Sequence, residues 1–127
     1  MKEHLRPQGW QEPAVYSQGI KAGNLIFLAG QTSVDDEGKV VGVGNIRVQS
    51  KQVYERIKRL LEEAGAGFED VVKLTTYLTD IKSNSVVREA RMEYFKGHKA
   101  PSTVVEVKAL AQPEFLIEVE VIALKDR

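Results

Sequence analysis

Hydrophobic and polar residues alternate in several short stretches of this chain, which is the pattern of half-buried β-strands. The predicted strands are 14–21, 25–29, 71–78 and two runs within 101–124. The two terminal runs are β-branched and are separated by a short segment containing Pro113, so they are expected to pair as a hairpin. Residues 1–13 are polar and predict an irregular arm with an early edge strand.

Two longer stretches place their hydrophobic residues at helical spacing instead. The first predicts a helix over 46–64, with Asn45 as its N-cap and Gly65 as its C-terminal stop. The basic residues of this helix, Arg56 among them, alternate with glutamates and are assigned to a solvated face. The second stretch predicts a helix over 83–96.

The resulting order, β-β-β-α-β-α-β-β, predicts one α+β domain over residues 1–127, with two helices on one face of a single sheet. The apolar run 25–29 indicates a strand buried on both faces, and the terminal strand is half apolar on its second face. The two helices can cover only one of these faces. We therefore expect another subunit to cover the second, which predicts a closed homo-oligomer with any pocket between subunits.

Two carboxylates interrupt that second face of the terminal strand. Glu118 and Glu120 alternate there with Leu116, Ile122 and Leu124, and their Cα atoms are expected to lie about 6.5 Å apart. One interpretation is that both carboxylates face water, as on an exposed antiparallel sheet. The alternative is that the face is partly covered and that one glutamate is placed for acid–base chemistry.

Composition narrows the classes of function. Eighteen basic and eighteen acidic residues cancel to a net charge of zero, so no nucleic-acid surface is indicated. The chain has no cysteine, which excludes disulfides, thiolate nucleophiles and cysteine metal sites. His4 and His98 are far apart and have no metal-ligand spacing, so no metal site is expected. Without an apolar signal or membrane segment, a cytoplasmic location is expected.

Four short motifs resemble those of a known family. They are Tyr16-Ser17-Gln18-Gly19, Ala29-Gly30-Gln31, Val105-Glu106-Val107 and Ile117-Glu118-Val119-Glu120-Val121-Ile122-Ala123. By their order and spacing the chain resembles the RidA/YjgF family of reactive-intermediate deaminases over nearly its full length. The resemblance implies a single mixed sheet with a chorismate-mutase-like fold. It also implies a homotrimer in which the sheets face one another within a barrel and the helices pack outside.

The resemblance further implies hydrolysis of small imines or enamines to carbonyl compounds and ammonia. Glu118 falls where the family has a glutamate that activates or orients water, and it is the catalytic candidate. Tyr16 and Gly30 match positions that line the same cleft between subunits, where a small molecule would bind. A carboxylate that accepts a proton from water needs no metal or cofactor, so neither is expected.

The chain departs from the family pattern at three substrate-binding positions. Members that act on imino acids carry an arginine at the position of Ser102, often a cysteine at Val104, and an asparagine at Arg88. Because that arginine grips the substrate carboxylate through two hydrogen bonds, its loss implies an arginine-lacking subgroup with an altered substrate range. Arg88 or Arg91 is a candidate replacement; the alternative is that both are solvated helix residues.

Two other functions compete with the deaminase hypothesis. Loss of the charged anchor at Ser102 favours a non-catalytic trimer that binds a small metabolite or regulates a partner. RNA cleavage has also been attached to the family, but the zero net charge and the absence of a histidine pair disfavour it.

Overall fold

A computed structural model describes residues 1–126 and contains six strands and two α-helices. In chain order the elements are β1 (Lys2–His4), β2 (Gly19–Ala22), β3 (Leu25–Leu28), α1 (Ile46–Glu63), β4 (Val71–Leu78), α2 (Asn84–Phe95), β5 (Ser102–Glu106) and β6 (Ile117–Leu124). This confirms the predicted element order and both helices. None of the helices in residues 1–126 is long and apolar enough to span a membrane.

All six strands form one mixed sheet in the order β1-β2-β3-β6-β4-β5. Every neighbouring pair is antiparallel except β4 and β5, which are parallel. Parallel neighbours need a crossover connection, and α2 supplies it between β4 and β5. The predicted α+β fold with a single mixed sheet is therefore confirmed.

The predicted terminal hairpin is wrong, because β4 lies between β5 and β6. Ser102 of β5 pairs with Leu74 on one edge of β4, whereas Glu118 of β6 pairs with Tyr77 on the other edge. Burial explains this arrangement. One face of β6 is fully apolar and belongs in the middle of the sheet, whereas every residue of β5 retains solvent exposure, which suits an edge strand.

The predicted strand over 14–21 is also corrected, since β2 begins only at Gly19. Gly19 pairs with Leu28, the last residue of β3. One further hydrogen bond, from the Ala29 amide to the Gln18 carbonyl, closes this ladder at 2.9 Å. Beyond it the backbone segment after β3 bonds to the sheet only at β6, through Gln31, so residues 14–18 have no strand to pair with and form an irregular loop.

Both helices pack on one face of the sheet around a single hydrophobic core. The alternating residues of β6 supply the centre of this core, and all of them are buried: Ile117, Val119, Val121 and Ala123. The helical stripe of α1 covers them, with Val53, Ile57, Leu60 and Leu61 fully buried. Asn45 caps this helix by accepting a hydrogen bond from the Val48 amide at 3.1 Å, as predicted.

The opposite face of the sheet has no cover from this chain. Ile26 and Leu28 of β3 are buried against the helices, but Leu25 and Phe27 are 39% and 44% exposed. Leu124 of β6 continues this apolar surface at 39% exposure. Burial of β3 on both faces is therefore not found within one chain, and cover by a second copy stays a prediction.

Candidate functional site

The segment after β3 stays beside β6, the strand with which β3 already pairs, and this places Gly30 beside Glu118. The Gln31 amide donates to the Val119 carbonyl at 2.8 Å, and the Val119 amide donates back to the Gln31 carbonyl at 3.1 Å. These two bonds form an isolated antiparallel bridge with β6. Because the residues before each bridge partner are Gly30 and Glu118, the bridge brings both into one site.

Gly30 allows the Glu118 side chain to lie directly on the backbone. A Cβ atom built on Gly30 would overlap the Glu118 carboxylate and would lie 2.7 Å from its Cδ atom and 2.9 Å from its Cγ atom. Real Cβ atoms do not approach so closely, although the backbone dihedrals of Gly30 lie outside the left-handed region. Space for the carboxylate in this position, and not an unusual backbone conformation, favours glycine here.

Glu118 is half buried, and its pKa is raised above the usual value. Desolvation by burial is the larger cause, and the charge of Glu120 on the same face of β6 adds to it. A carboxylate with a raised pKa accepts a proton more readily than an exposed one. The alternative in which both glutamates are simply solvated is therefore not what the structure shows for Glu118, although Glu120 is exposed.

A cavity of about 650 Å³ lies over this glutamate. Tyr16, Gly30 and Glu118 all line it, so one chain brings together three of the six predicted site residues. Gln18 and Phe115 also line this cavity. Tyr16 is 59% exposed, which leaves its phenol accessible from the cavity mouth. The roles assigned to these residues stay predictions.

The other three predicted residues lie elsewhere in the chain. Ser102 is on the edge strand β5, where its hydroxyl accepts a hydrogen bond from Arg91 of α2 at 2.8 Å. Val104 packs against the core on the helix side of the sheet. Arg88 lies on α2 beside a different cavity. A single chain therefore does not place Ser102, Val104 or Arg88 in the Glu118 cavity.

A buried polar network behind the cavity was missed by the sequence analysis. Gln31 is only 2% exposed; its side chain donates to the Gln18 side chain at 2.9 Å and accepts from Arg56 Nε at 3.1 Å. Arg56, predicted to be solvated, is instead buried, with its guanidinium 3.8 Å from the ring centroid of Trp10. Desolvation lowers the pKa of Arg56. The sequence signal for this burial was the position of Arg56 beside the apolar residues of α1.

Three polar side chains on neighbouring strands have partners outside the cavity. Tyr77 donates to the Glu120 carboxylate, and this bond is the main reason that the pKa of Tyr77 is raised. Glu106 accepts from the Ile81 amide at 2.9 Å, which holds the turn before α2. Within residues 1–126, no group of three or more histidine, aspartate or glutamate side chains is arranged to hold a metal ion.

Comparison with known proteins identifies the family of this chain. The family model described as endoribonuclease L-PSP matches residues 10–125. A RutC family protein of Pyrococcus abyssi is 47% identical over 111 residues, covering 87% of each chain. The 3-aminoacrylate deaminase RutC of Acinetobacter baylyi is 32% identical over 123 residues, covering 96% of this chain and 97% of its own. The crystal structure of YyfA from Yersinia pestis, a member of the conserved Rid family, superposes with a TM-score of 0.91 at 31% identity, covering 98% and 99%.

The contact between Gly30 and Glu118 predicts strong coupling between two substitutions. Gly30→Ala is expected to lower the free energy of unfolding by about 1–3 kcal/mol, because the new methyl group overlaps the carboxylate. In a Glu118→Ala background the same substitution is expected to cost close to nothing, since the three overlapping atoms are gone. Urea unfolding of wild type, Gly30→Ala, Glu118→Ala and the double variant, all at the same protein concentration, measures this coupling. Equal costs in both backgrounds would show that the contact is not the cause.

The raised pKa of Glu118 predicts a pH-dependent effect of Glu118→Gln on stability. The folded protein binds the Glu118 proton more tightly than the unfolded chain, so wild-type stability falls as pH rises from the ordinary glutamate pKa of 4.5 through the raised pKa of the folded state. Glu118→Gln removes this loss and is expected to melt higher than wild type at pH 7. Its advantage should vanish below pH 4.5, where both side chains are neutral.

Thermal unfolding at pH 4 and pH 7 is the measurement. Glu63→Gln, at the end of α1, controls for the loss of one negative charge. A Glu118→Gln advantage that is the same at both pH values would contradict the expectation.

Proposed function

This chain belongs to the RutC/Rid (YjgF) family, whose sequence model carries the endoribonuclease L-PSP description, and we propose that it is a deaminase-like hydrolase of small imines or enamines. The observation that carries the proposal is Glu118, a half-buried carboxylate with a raised pKa, seated against Gly30 in a cavity. The 3-aminoacrylate deaminase of Acinetobacter baylyi, 32% identical along nearly the whole chain, supports a deaminase role at the level of the family.

The proposed reaction adds water to the carbon of a C=N bond and releases ammonia. Glu118 accepts a proton from water as the water oxygen bonds to the imine carbon, and the electron pair of the C=N bond moves to nitrogen. The proton held by Glu118 passes to this nitrogen, which gives a tetrahedral carbinolamine. Transfer of the carbinolamine hydroxyl proton to the same nitrogen then lets the C–N bond break, and its electron pair leaves with nitrogen to give a carbonyl compound and ammonia. An enamine enters the same sequence after protonation at carbon gives the iminium ion. General acid–base assistance of this kind contributes about 10²–10⁴ in rate.

We further propose that the complete site lies between subunits of a homotrimer. The apolar surface containing Leu25, Phe27 and Leu124 would then be covered by neighbouring chains. A site shared between subunits would also account for the separation of Ser102, Val104 and Arg88 from Glu118 within one chain. In this arrangement the edge of one subunit would close the Glu118 cavity of the next.

A non-catalytic trimer that binds a small metabolite is the second candidate. The observation that favours it is the hydroxyl of Ser102 at the position where the family resemblance calls for a charged anchor. RNA cleavage is a weaker candidate, because the two histidines have separate structural contacts. His4 Nδ1 lies 3.1 Å from Ser17 Oγ, and His98 Nε2 lies 2.8 Å from the Val71 carbonyl.

Ammonia release from freshly generated imines tests the proposal. Glu118→Gln is expected to lower the rate by about 10²–10⁴, because the amide cannot accept the proton from water. Glu120→Gln makes the same chemical change two residues along the same face, on an exposed side chain, and is expected to lower the rate less than about tenfold, below the range for general-base assistance.

Two outcomes would contradict this account. Equal losses in the two variants would remove the specific role of Glu118. A wild-type rate no faster than spontaneous hydrolysis on every imine tested would favour the metabolite-binding alternative.

A further inference from the structure

A second cavity, of about 420 Å³, opens where α2 meets the loop before β5. Its apolar surface comes from Leu74, Phe95 and Ala100, whereas its charged side chains are Arg88, Arg91 and Lys99. No aspartate or glutamate lines it. A cavity with a small apolar surface and several cations matches an organic anion with a short hydrocarbon part.

The spacing of charges along α2 produces this segregation. Arg88, Arg91 and Phe95 recur at helical spacing and lie on the side that faces the cavity. The two glutamates of α2 lie on another side of the helix and pair with α1, Glu89 with Arg47 at 2.8 Å and Glu93 with Lys51 at 3.6 Å. Within residues 1–126, neither Arg88 nor Arg91 has a carboxylate within salt-bridge distance.

Arg91 is held in position while most of its hydrogen-bonding capacity remains available. One of its terminal nitrogens donates to the Ser102 hydroxyl at 2.8 Å, which fixes the guanidinium at the edge of the sheet. A guanidinium has five N–H donors in a planar fork, and a carboxylate uses two of them. Side chains with no fixed contact lose more conformational freedom on binding, so an arginine fixed by a serine is better prepared for a carboxylate.

We infer that Arg91, positioned by Ser102, binds the carboxylate of a small imino or enamino acid in the cavity between α2 and β5. The inference rests on the proposed function for the identity of this anion as the substrate. Arg88 and Lys99 add positive charge around the carboxylate, and the apolar surface accepts a short alkyl chain. The carboxylate anchor of this chain therefore comes from α2, and Ser102 acts on the substrate only through Arg91.

Direct binding of a carbonyl product tests the anchor without requiring turnover. The probes are 2-oxobutanoate and butan-2-one, which share an ethyl ketone and differ in the carboxylate. Calorimetry is expected to show that Arg91→Met weakens 2-oxobutanoate binding by about 10- to 150-fold, the range for a lost charged hydrogen bond, and leaves butan-2-one unaffected. Arg47→Met removes an arginine of α1 that pairs with Glu89 and does not line the cavity, and this variant is expected to bind both probes like wild type.

Two further variants separate a specific contact from general charge. Arg91→Lys keeps the charge but lacks the planar fork, so its affinity for 2-oxobutanoate is expected to fall between wild type and Arg91→Met. Ser102→Ala keeps the arginine but removes its support, and a loss smaller than that of Arg91→Met is expected. Because Arg91→Lys keeps the charge and most of the aliphatic part of the side chain, it gives a result even if Arg91→Met does not fold.

The outcomes for this site and for the proposed reaction are distinguishable. Binding of 2-oxobutanoate that depends on Arg91, in a protein that hydrolyses no imine, would support the carboxylate site and reject the deaminase. Binding of 2-oxobutanoate no tighter than butan-2-one, or unchanged in both Arg91 variants, would overturn the inference. The proposed imine hydrolysis would not be affected by that result, because the ammonia-release assay tests it separately.

Discussion

Two backbone hydrogen bonds between Gln31 and Val119 hold the segment after β3 against the central strand, and the candidate site depends on them. They fix Gly30 where the absence of a side chain leaves room for the Glu118 carboxylate in its observed position. The Gln31 side chain extends the same constraint to Gln18 and Arg56, which stacks on Trp10. The cavity wall is thus joined to α1 and the N-terminal loop. Substitutions in this network are therefore expected to displace Glu118 although they do not contact it.

The electrostatics of the two cavities are consistent with separate chemical roles. Burial and the neighbouring charge of Glu120 raise the pKa of Glu118, which favours proton transfer. An arginine placed within a few ångströms would lower that pKa and weaken the base. In this chain the cations Arg88 and Arg91 lie beside the cavity at the β5 edge, away from the Glu118 cavity. In a site shared between two subunits, the substrate carboxylate would pair with the anchoring arginine and offset its charge, so the arginine would lower the pKa of Glu118 less than a free arginine would.

Much of the fold follows from local patterns, whereas pairing and polar burial do not. Both helices and the alternating face of β6 were predictable, because long hydrophobic stripes need burial on one side. The hairpin prediction failed because the sequence of β5 and β6 does not reveal that α2 carries β5 to the far edge of β4. Arg56 was assigned to solvent because its burial depends on Gln31 and Trp10, which are distant in sequence. Glu118 was found through the family resemblance, and its contact with Gly30 required the structure.

Turnover by mixed oligomers tests the central claim, that one site combines Glu118 of one chain with Arg91 of another. The variants Glu118→Gln and Arg91→Met are produced together with different affinity tags, and oligomers containing both are isolated. Ammonia release from 2-iminobutanoate is then measured at low substrate concentration. A shared site predicts that mixed oligomers exceed both parent variants, because some clefts regain an intact Glu118 and an intact Arg91. Activity no higher than the mean of the two parents would contradict the account.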